Sequence, residues 1–288
     1  MVGCDSIVLR YSDGYEAHAR FWLPQAPRGA VLYLHGIQSH GLWFERSAQQ
    51  LADAGFAVLL PDRRGSGRNR QDRGHTPSAR RLILDTAECC DRVQARTGLS
   101  RVHVLGVSWG GKQALALYGH SPERVASLTL VAPGLFPSVD VPTSQKIRIG
   151  LAAVTGGHAL FDIPLQQAEL FTANPERQEF IRHDELALRQ VTASFMVASR
   201  RLDALARRVE GVTSGPPLCL FLAELDRIID NARTRDFVRR LDWPGRRIIE
   251  YPSAHHTIEF EPDPQPFFGD LVNWLTSQAE AGQHQPGA

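Results

Sequence analysis

The run Val102-His103-Val104-Leu105-Gly106-Val107-Ser108-Trp109-Gly110-Gly111 decides the architecture of this chain. Its first half is apolar and β-branched, as a buried strand is, and Lys112 to Gly119 continues with helical composition. Between them lies a Gly-x-Ser-x-Gly turn centred on Ser108. A serine held at a strained strand-to-helix turn presents its hydroxyl clear of the backbone, and only small neighbours let strand and helix approach closely. Gly106 and Gly110 supply them. The new helix also aims free backbone N–H groups at the serine, so the Trp109 amide is expected to steady an oxyanion. The competing reading, an ordinary Gly-rich turn, weakens as partners for Ser108 emerge elsewhere.

Outward from this turn, short β-rich runs alternate with longer amphipathic ones, the pattern of a mostly parallel sheet with helices on both faces. Strands are predicted at Ile7 to Tyr11, Glu16 to Trp22, Ala30 to Leu34, Ala57 to Leu60, Val102 to Leu105, Ser127 to Val131, Leu218 to Leu222 and Arg247 to Tyr251. Ser12-Asp13-Gly14 reads as a hairpin turn, so the sheet is expected to start antiparallel. Residues 134–213, far more than a crossover needs, are expected to form a helical lid inserted after the sixth strand into a core of 1–133 and 214–276. Within them Leu188, Val191, Phe195, Ala198, Leu202 and Leu205 recur at spacings of three and four, predicting one long helix. Residues 150–161 are unusually apolar around Gly156-Gly157, and the polar stretch 277–288 is expected to be a disordered tail.

Three further loops carry chemistry. After Tyr33-Leu34 comes His35-Gly36-Ile37-Gln38-Ser39-His40, where the Ile37 amide is the candidate second oxyanion donor. His35 suits a loop-bracing hydrogen bond, and Gln38 or His40 is placed to touch substrate. After the seventh strand, Asp226 and Asp230 compete for an acid role, with Glu224 a remote third. Asp230 precedes Asn231-Ala232-Arg233-Thr234 and reads as a helix N-cap, which favours Asp226. The last strand leads to Ala254-His255-His256-Thr257, a histidine pair that spacing alone does not resolve. A neutral imidazole there can take the Ser108 proton, with a carboxylate fixing its tautomer. A metal at His255-His256 is disfavoured, since adjacent ligands point apart and no cysteine or carboxylate set completes a site.

Composition sets the bounds. The 288 residues carry a net charge of +1, with 43% apolar and 22% charged residues, which gives no field for nucleic acid or an anionic membrane. No run approaches the ~18 apolar residues of a membrane span. The amino terminus lacks a basic-then-apolar leader, so a soluble, cytoplasmic protein is expected. Cys4, Cys89, Cys90 and Cys219 make a poor disulfide framework and are read as reduced and structural. No cofactor or metal is implied, and the partner is expected to be a small molecule. Arg63 to Arg81 reads as a solvated basic loop face.

Taken together, His35-Gly36 with His40, Pro61-Asp62-Arg63-Arg64-Gly65-Ser66-Gly67-Arg68, the Ser108 turn, Asp226 with Asp230, and Tyr251 through Glu261 resemble the monoacylglycerol lipase and lysophospholipase branch of α/β-hydrolases, the serine aminopeptidase-like group. The resemblance spans nearly the whole chain. It implies the α/β-hydrolase fold, a lid over an acyl pocket, and a serine hydrolase acting on an acyl ester such as a monoacylglycerol or lysophospholipid. Its tail pattern, Tyr-x-x-Ala-x-His-x-x-x-x-Glu, implies that His256 is the base and His255 a variable position. It also implies that Asp62 and Arg64 brace a turn. The chain departs from the family at Val107, Trp109 and Lys112, and the Trp109 ring is expected to stand beside the acyl pocket and to change the preferred acyl group.

Overall fold

The central strand that ends at the Ser108 turn lies in the middle of an eight-stranded sheet. A computed structural model describes residues 1–283 of the chain. In chain order the strands are β1 (Cys4–Arg10), β2 (Glu16–Trp22), β3 (Gly29–Leu34), β4 (Phe56–Pro61), β5 (Val102–Val107), β6 (Val125–Val131), β7 (Leu160–Asp162), β8 (Gln190–Thr192), β9 (Leu218–Ala223) and β10 (Arg247–Tyr251). The helices are α1 (Glu45–Asp53), α2 (Ala79–Thr97), α3 (Trp109–His120), α4 (Thr143–Val154), α5 (Pro175–His183), α6 (Ala193–Arg207), α7 (Asn231–Arg240) and α8 (Gln265–Gln283). The main sheet has the order β1-β2-β4-β3-β5-β6-β9-β10. β2 runs antiparallel to β1 and β4, and the remaining pairs are parallel. This is the α/β-hydrolase fold.

Every residue of β3, β4, β5 and β9 is buried, because α1 with α8 and α2 with α3 form separate helical layers over the sheet. The hairpin turn at Ser12-Asp13-Gly14 closes with the Gly14 N–H donating to the Tyr11 carbonyl at 2.9 Å, and Gly14 takes φ +83°. β1 starts three residues earlier than its apolar pattern suggests. It is an edge strand whose exposed Cys4-Asp5-Ser6 pair by backbone with Arg20 to Trp22 and need no apolar face.

The insertion after β6 is helical, with α4, α5 and α6 and the small hairpin of β7 and β8. One expectation there is corrected. Leu188 and Val191 precede the long helix, which begins at Ala193 once the Thr192 hydroxyl caps it by accepting from the Phe195 N–H at 3.2 Å. Leu188 and Val191 are buried all the same, so periodic burial continues through a change of backbone. The expected disordered tail is also corrected: 277–283 continue α8, with Ala279 packed into the core. Residues 284–288 of that tail lie outside the described residues.

No helix among the described residues is long and apolar enough to cross a membrane. All four cysteines are free thiols. Burial pushes the Cys89 and Cys219 thiols up to about 12, which leaves them inert packing groups.

Candidate active site

Four loops at the carboxyl ends of β3, β5, β9 and β10 converge, the edge where open α/β sheets hold their ligands. At the end of β5, Ser108 sits at φ 53°, ψ −121°, a conformation that costs a non-glycine residue about 1–3 kcal/mol. Its surroundings enforce it. The Ser108 N–H donates to the Val131 carbonyl at 2.9 Å, and its own carbonyl accepts from Gly111 at 2.9 Å and Gly134 at 2.8 Å. A Cβ on Gly106 would lie 2.5 Å from the Gly110 oxygen, and one on Gly110 would lie 2.3 Å from the Leu34 oxygen. Both glycines are therefore fixed by backbone contact.

The imidazole of His256 reaches this serine: its Nε2 lies 2.8 Å from Ser108 Oγ. Its Nδ1 lies 2.7 Å from Asp226 Oδ2. The other Asp226 oxygen accepts from the Ile228 N–H at 2.7 Å and the Ile229 N–H at 3.2 Å, so the loop after β9 orients the carboxylate before the histidine meets it. The Asp226 side chain is wholly buried and that of His256 nearly so. The Phe171 ring packs T-shaped with the imidazole, centroids 6.0 Å apart, and the Phe171 carbonyl accepts from the Thr257 N–H at 2.8 Å, so the insertion helps hold the histidine loop.

The competing residues are occupied elsewhere. Asp230 Oδ1 caps α7 by accepting from the Arg233 N–H at 2.9 Å. Glu224 is exposed on the surface. His255 turns away and bonds Glu261 Oε1 through its N–H at 2.8 Å and its ring Nδ1 at 3.1 Å.

The loop after β3 crosses above Ser108, where a Cβ on Gly36 would come within 3.4 Å of the serine Cβ. His35 braces this loop: its Nδ1 donates to the Gly36 carbonyl at 2.8 Å, and its Nε2 accepts from the Arg63 N–H at 2.9 Å. Burial, and then the adjacent Arg63 cation, pull its pKa down to about 3, so it stays neutral. Arg63, expected on a solvated basic loop face, does not lie on one. It is buried, it donates to the Gly36 and Ile37 carbonyls at 2.9 and 2.8 Å, and its guanidinium lies 4.6 Å over the Trp109 ring. Only the structure reveals that role, since nothing in Pro61-Asp62-Arg63-Arg64 says what the Arg63 side chain meets. Arg64 does brace its turn, through two 2.9 Å bonds to Asp85. Asp62 accepts from the Gly41 N–H at 2.8 Å and the Arg68 N–H at 2.9 Å.

A cavity of about 670 Å³ opens from Ser108, lined among others by Ile37, Trp109, Met196 and Ile229. Gln38 and His40, expected to touch substrate, do not line it. Both are buried, and His40 Nε2 bonds the Asp184 carboxylate at 2.8 Å, tying the loop to the insertion. The Trp109 ring does stand in the cavity wall. It stacks on Phe195 of α6 at 5.5 Å, and its Nε1–H donates to Ser199 Oγ at 2.9 Å.

Residues 25–263 match the family described as "Serine aminopeptidase, S33" (Hydrolase_4). The chain belongs to this family. Among relatives of this S33 family member are a monoacylglycerol lipase of Mycolicibacterium smegmatis, 25% identical over 89% of this chain and 91% of the relative, and the monoglyceride lipase of Homo sapiens, 22% identical over 96% and 92%. The crystal structure of the Paleococcus ferrophilus monoacylglycerol lipase superposes with a TM-score of 0.82 at 20% identity, covering 92% of this chain and all of that one. The S33 chain is thus a hydrolase of the serine-esterase type on the α/β-hydrolase fold.

Proposed function

We propose that the chain hydrolyses a carboxylic ester through an acyl-enzyme, with Ser108 as nucleophile, His256 as general base and Asp226 as the residue that orients it. The hydrogen-bonded line Ser108 Oγ to His256 Nε2 and His256 Nδ1 to Asp226 Oδ2 carries this reading. Ser108 adds to the ester carbonyl as its proton passes to His256. The tetrahedral oxyanion is received by the amides of Ile37 and Trp109. His256 then protonates the leaving alcohol, and water, activated by the same imidazole, releases the acid.

The ester is a monoacylglycerol, a lysophospholipid or a smaller acyl ester. The names of the relatives speak for the first, whereas the Trp109 ring and the charged residues of the cavity wall speak for a smaller or more polar acyl group. An aminopeptidase activity, which the family description suggests, is disfavoured by charge. A substrate ammonium meets an excess of like charge, since Lys112, Lys146, Arg200, Arg201 and Arg207 in the cavity lining outnumber the carboxylates Asp140 and Asp203. The direct test is labelling with a fluorophosphonate. Labelling of the wild type that disappears in Ser108→Ala supports the proposal, and labelling that persists in Ser108→Ala defeats it. A panel of p-nitrophenyl esters, acyl thioesters and aminoacyl anilides ranks the bond classes by kcat/KM.

A further inference from the structure

The wall of the cavity beside Ser108 divides into two kinds of surface. Most of it is apolar, from residues such as Val139, Val141, Ile149, Ile163, Met196 and Ile229. One sector is charged. There Lys112 of α3 forms an ion pair with Asp203 of α6, and the two side chains are only 7% and 5% exposed. Desolvating such a pair costs several kcal/mol per ion, and well-packed apolar residues of similar volume commonly do as well or better. As a brace alone the pair is a poor solution. α6 is in any case already seated on α3 by the Phe195–Trp109 stack and the Ser199 hydrogen bond.

The pair is also unbalanced. A lysine ammonium has three donors, and Asp203 supplies the one acceptor found for it among the described residues. Asp203 is itself shared, since Arg200 Nη1 lies 3.6 Å from its second oxygen. Arg207, also in the cavity wall, packs its guanidinium 5.9 Å over Phe136 and has no carboxylate partner among the described residues. With Arg200, whose side chain is 75% exposed, and Arg207 beside it, this sector of the wall carries more cations than the single carboxylate of Asp203 offsets. Burial, and then the repulsion of Arg200 and Arg207 working against Asp203, draws Lys112 below the usual lysine range, a cost that a bound anion relieves. Lys112 lies four residues beyond Ser108, one helical turn or about 6 Å along α3, and both line the same cavity.

We propose that Lys112, backed by Arg200 and Arg207, is a subsite for a carboxylate carried by the substrate, so that the enzyme selects esters with a free acid group a short chain away from the scissile carbonyl. This rests on Ser108 being the nucleophile. The subsite binds and orients, and no bond is made or broken at Lys112. A carboxylate on the acyl side, as in a dicarboxylic hemiester, and one on the alcohol side share this chemistry.

The test compares kcat/KM for p-nitrophenyl hemiglutarate with p-nitrophenyl valerate, and for 4-acetoxybenzoate with its methyl ester, using the full chain. One charge-assisted hydrogen bond predicts a preference for the acid of about ten- to a hundredfold in the arm that matches the natural substrate. That preference should collapse in the double variant Lys112→Met with Asp203→Leu, which removes both charges together. Because each result is a ratio within one preparation, a smaller folded fraction does not alter it. Arg207→Gln, on a half-buried position, should lower the same ratio by roughly two- to fivefold and serves if the double variant fails to fold. Ratios near one in both arms, or a preference unchanged in the variants, overturn the subsite and leave the pair a brace. Fluorophosphonate labelling of Ser108 separates the failures: labelling with ratios near one sinks the subsite alone, whereas no labelling and no hydrolysis sinks the nucleophile and the subsite with it.

Discussion

Replacing Asp226 by asparagine should disable the enzyme while leaving its fold intact, and the reason lies in which atoms the loop after β9 already holds. One carboxylate oxygen accepts two backbone N–H groups, from Ile228 at 2.7 Å and Ile229 at 3.2 Å. An asparagine must keep its carbonyl oxygen there, because its NH2 would meet two donors. The NH2 is then turned onto His256 Nδ1, where the carboxylate oxygen lay at 2.7 Å. That nitrogen must now accept, so the ring proton moves to Nε2, and the imidazole donates to Ser108 Oγ and can no longer take its proton. Loss of the correct tautomer in this arrangement costs on the order of 10⁴ in kcat, equivalent to about 5.4 kcal/mol. Stability should change by less than about 1 kcal/mol, since both loop N–H groups stay satisfied. The assay is burst and steady-state release of p-nitrophenol from a short acyl ester, with urea unfolding in parallel. Asp230→Asn is the matched control, because asparagine caps a helix as well as aspartate does. Turnover by Asp226→Asn within tenfold of wild type, or a comparable loss in Asp230→Asn, would refute the tautomer argument.

Other outcomes are equally concrete. His256→Ala should lower kcat by several powers of ten, on the order of 10⁴ or more, whereas His255→Ala should stay near wild type; steady-state kinetics of the two variants decides which is the base. Gly110→Ala should destabilise the protein by about 3 kcal/mol in urea unfolding, because the added Cβ would lie 2.3 Å from the backbone oxygen of Leu34 and neither chain can yield. Burial and Arg63 hold His35 at about 3, and burial and Arg101 hold His103 at about 4, both below the unfolded value. Between those values and about 6.5 the unfolded chain binds more protons, so stability falls as pH falls through that window, by at most about 1.4 kcal/mol per pH unit for each histidine. Urea midpoints at pH 7 and pH 5 should therefore differ less in His103→Gln than in wild type.

What could be read from sequence and what could not follows from how local each signal is. The Ser108 turn was legible because Gly106 and Gly110 are required by backbone approach, a constraint that leaves no choice of residue. Asp226 was legible by elimination, since Asn231 to Thr234 marks a helix start and claims Asp230 for its cap. The partners of His40, Arg63 and Lys112 were not legible. Each bonds a residue or loop supplied by another segment, Asp184 for His40, the Gly36 and Ile37 carbonyls for Arg63, and Asp203 for Lys112. Sequence spacing within one element carries no information about such pairs. The sequence pattern starts the long helix too early for a related reason. Leu188 and Val191 are buried like the helix that follows, and burial periodicity does not distinguish a helix from a strand and loop packed on the same core.

The contact between α6 and α3 links those unreadable partners to the Ser108 turn. On α6, Phe195, Ser199 and Asp203 follow one another at intervals of four residues and so share one face. That face meets Trp109 and Lys112, three residues apart on α3, through a ring stack, a hydrogen bond and an ion pair in succession. Trp109 is also the residue whose amide follows Ser108, and its ring carries the Arg63 guanidinium that holds the Ile37 loop. The two candidate oxyanion donors are therefore set by the same packed unit that seats the insertion. A cavity-forming change such as Trp109→Ala removes the stack and the hydrogen bond together and takes away the surface under Arg63. It must loosen the oxyanion site as well as enlarge the cavity, so its effect has to appear in kcat and not in KM alone.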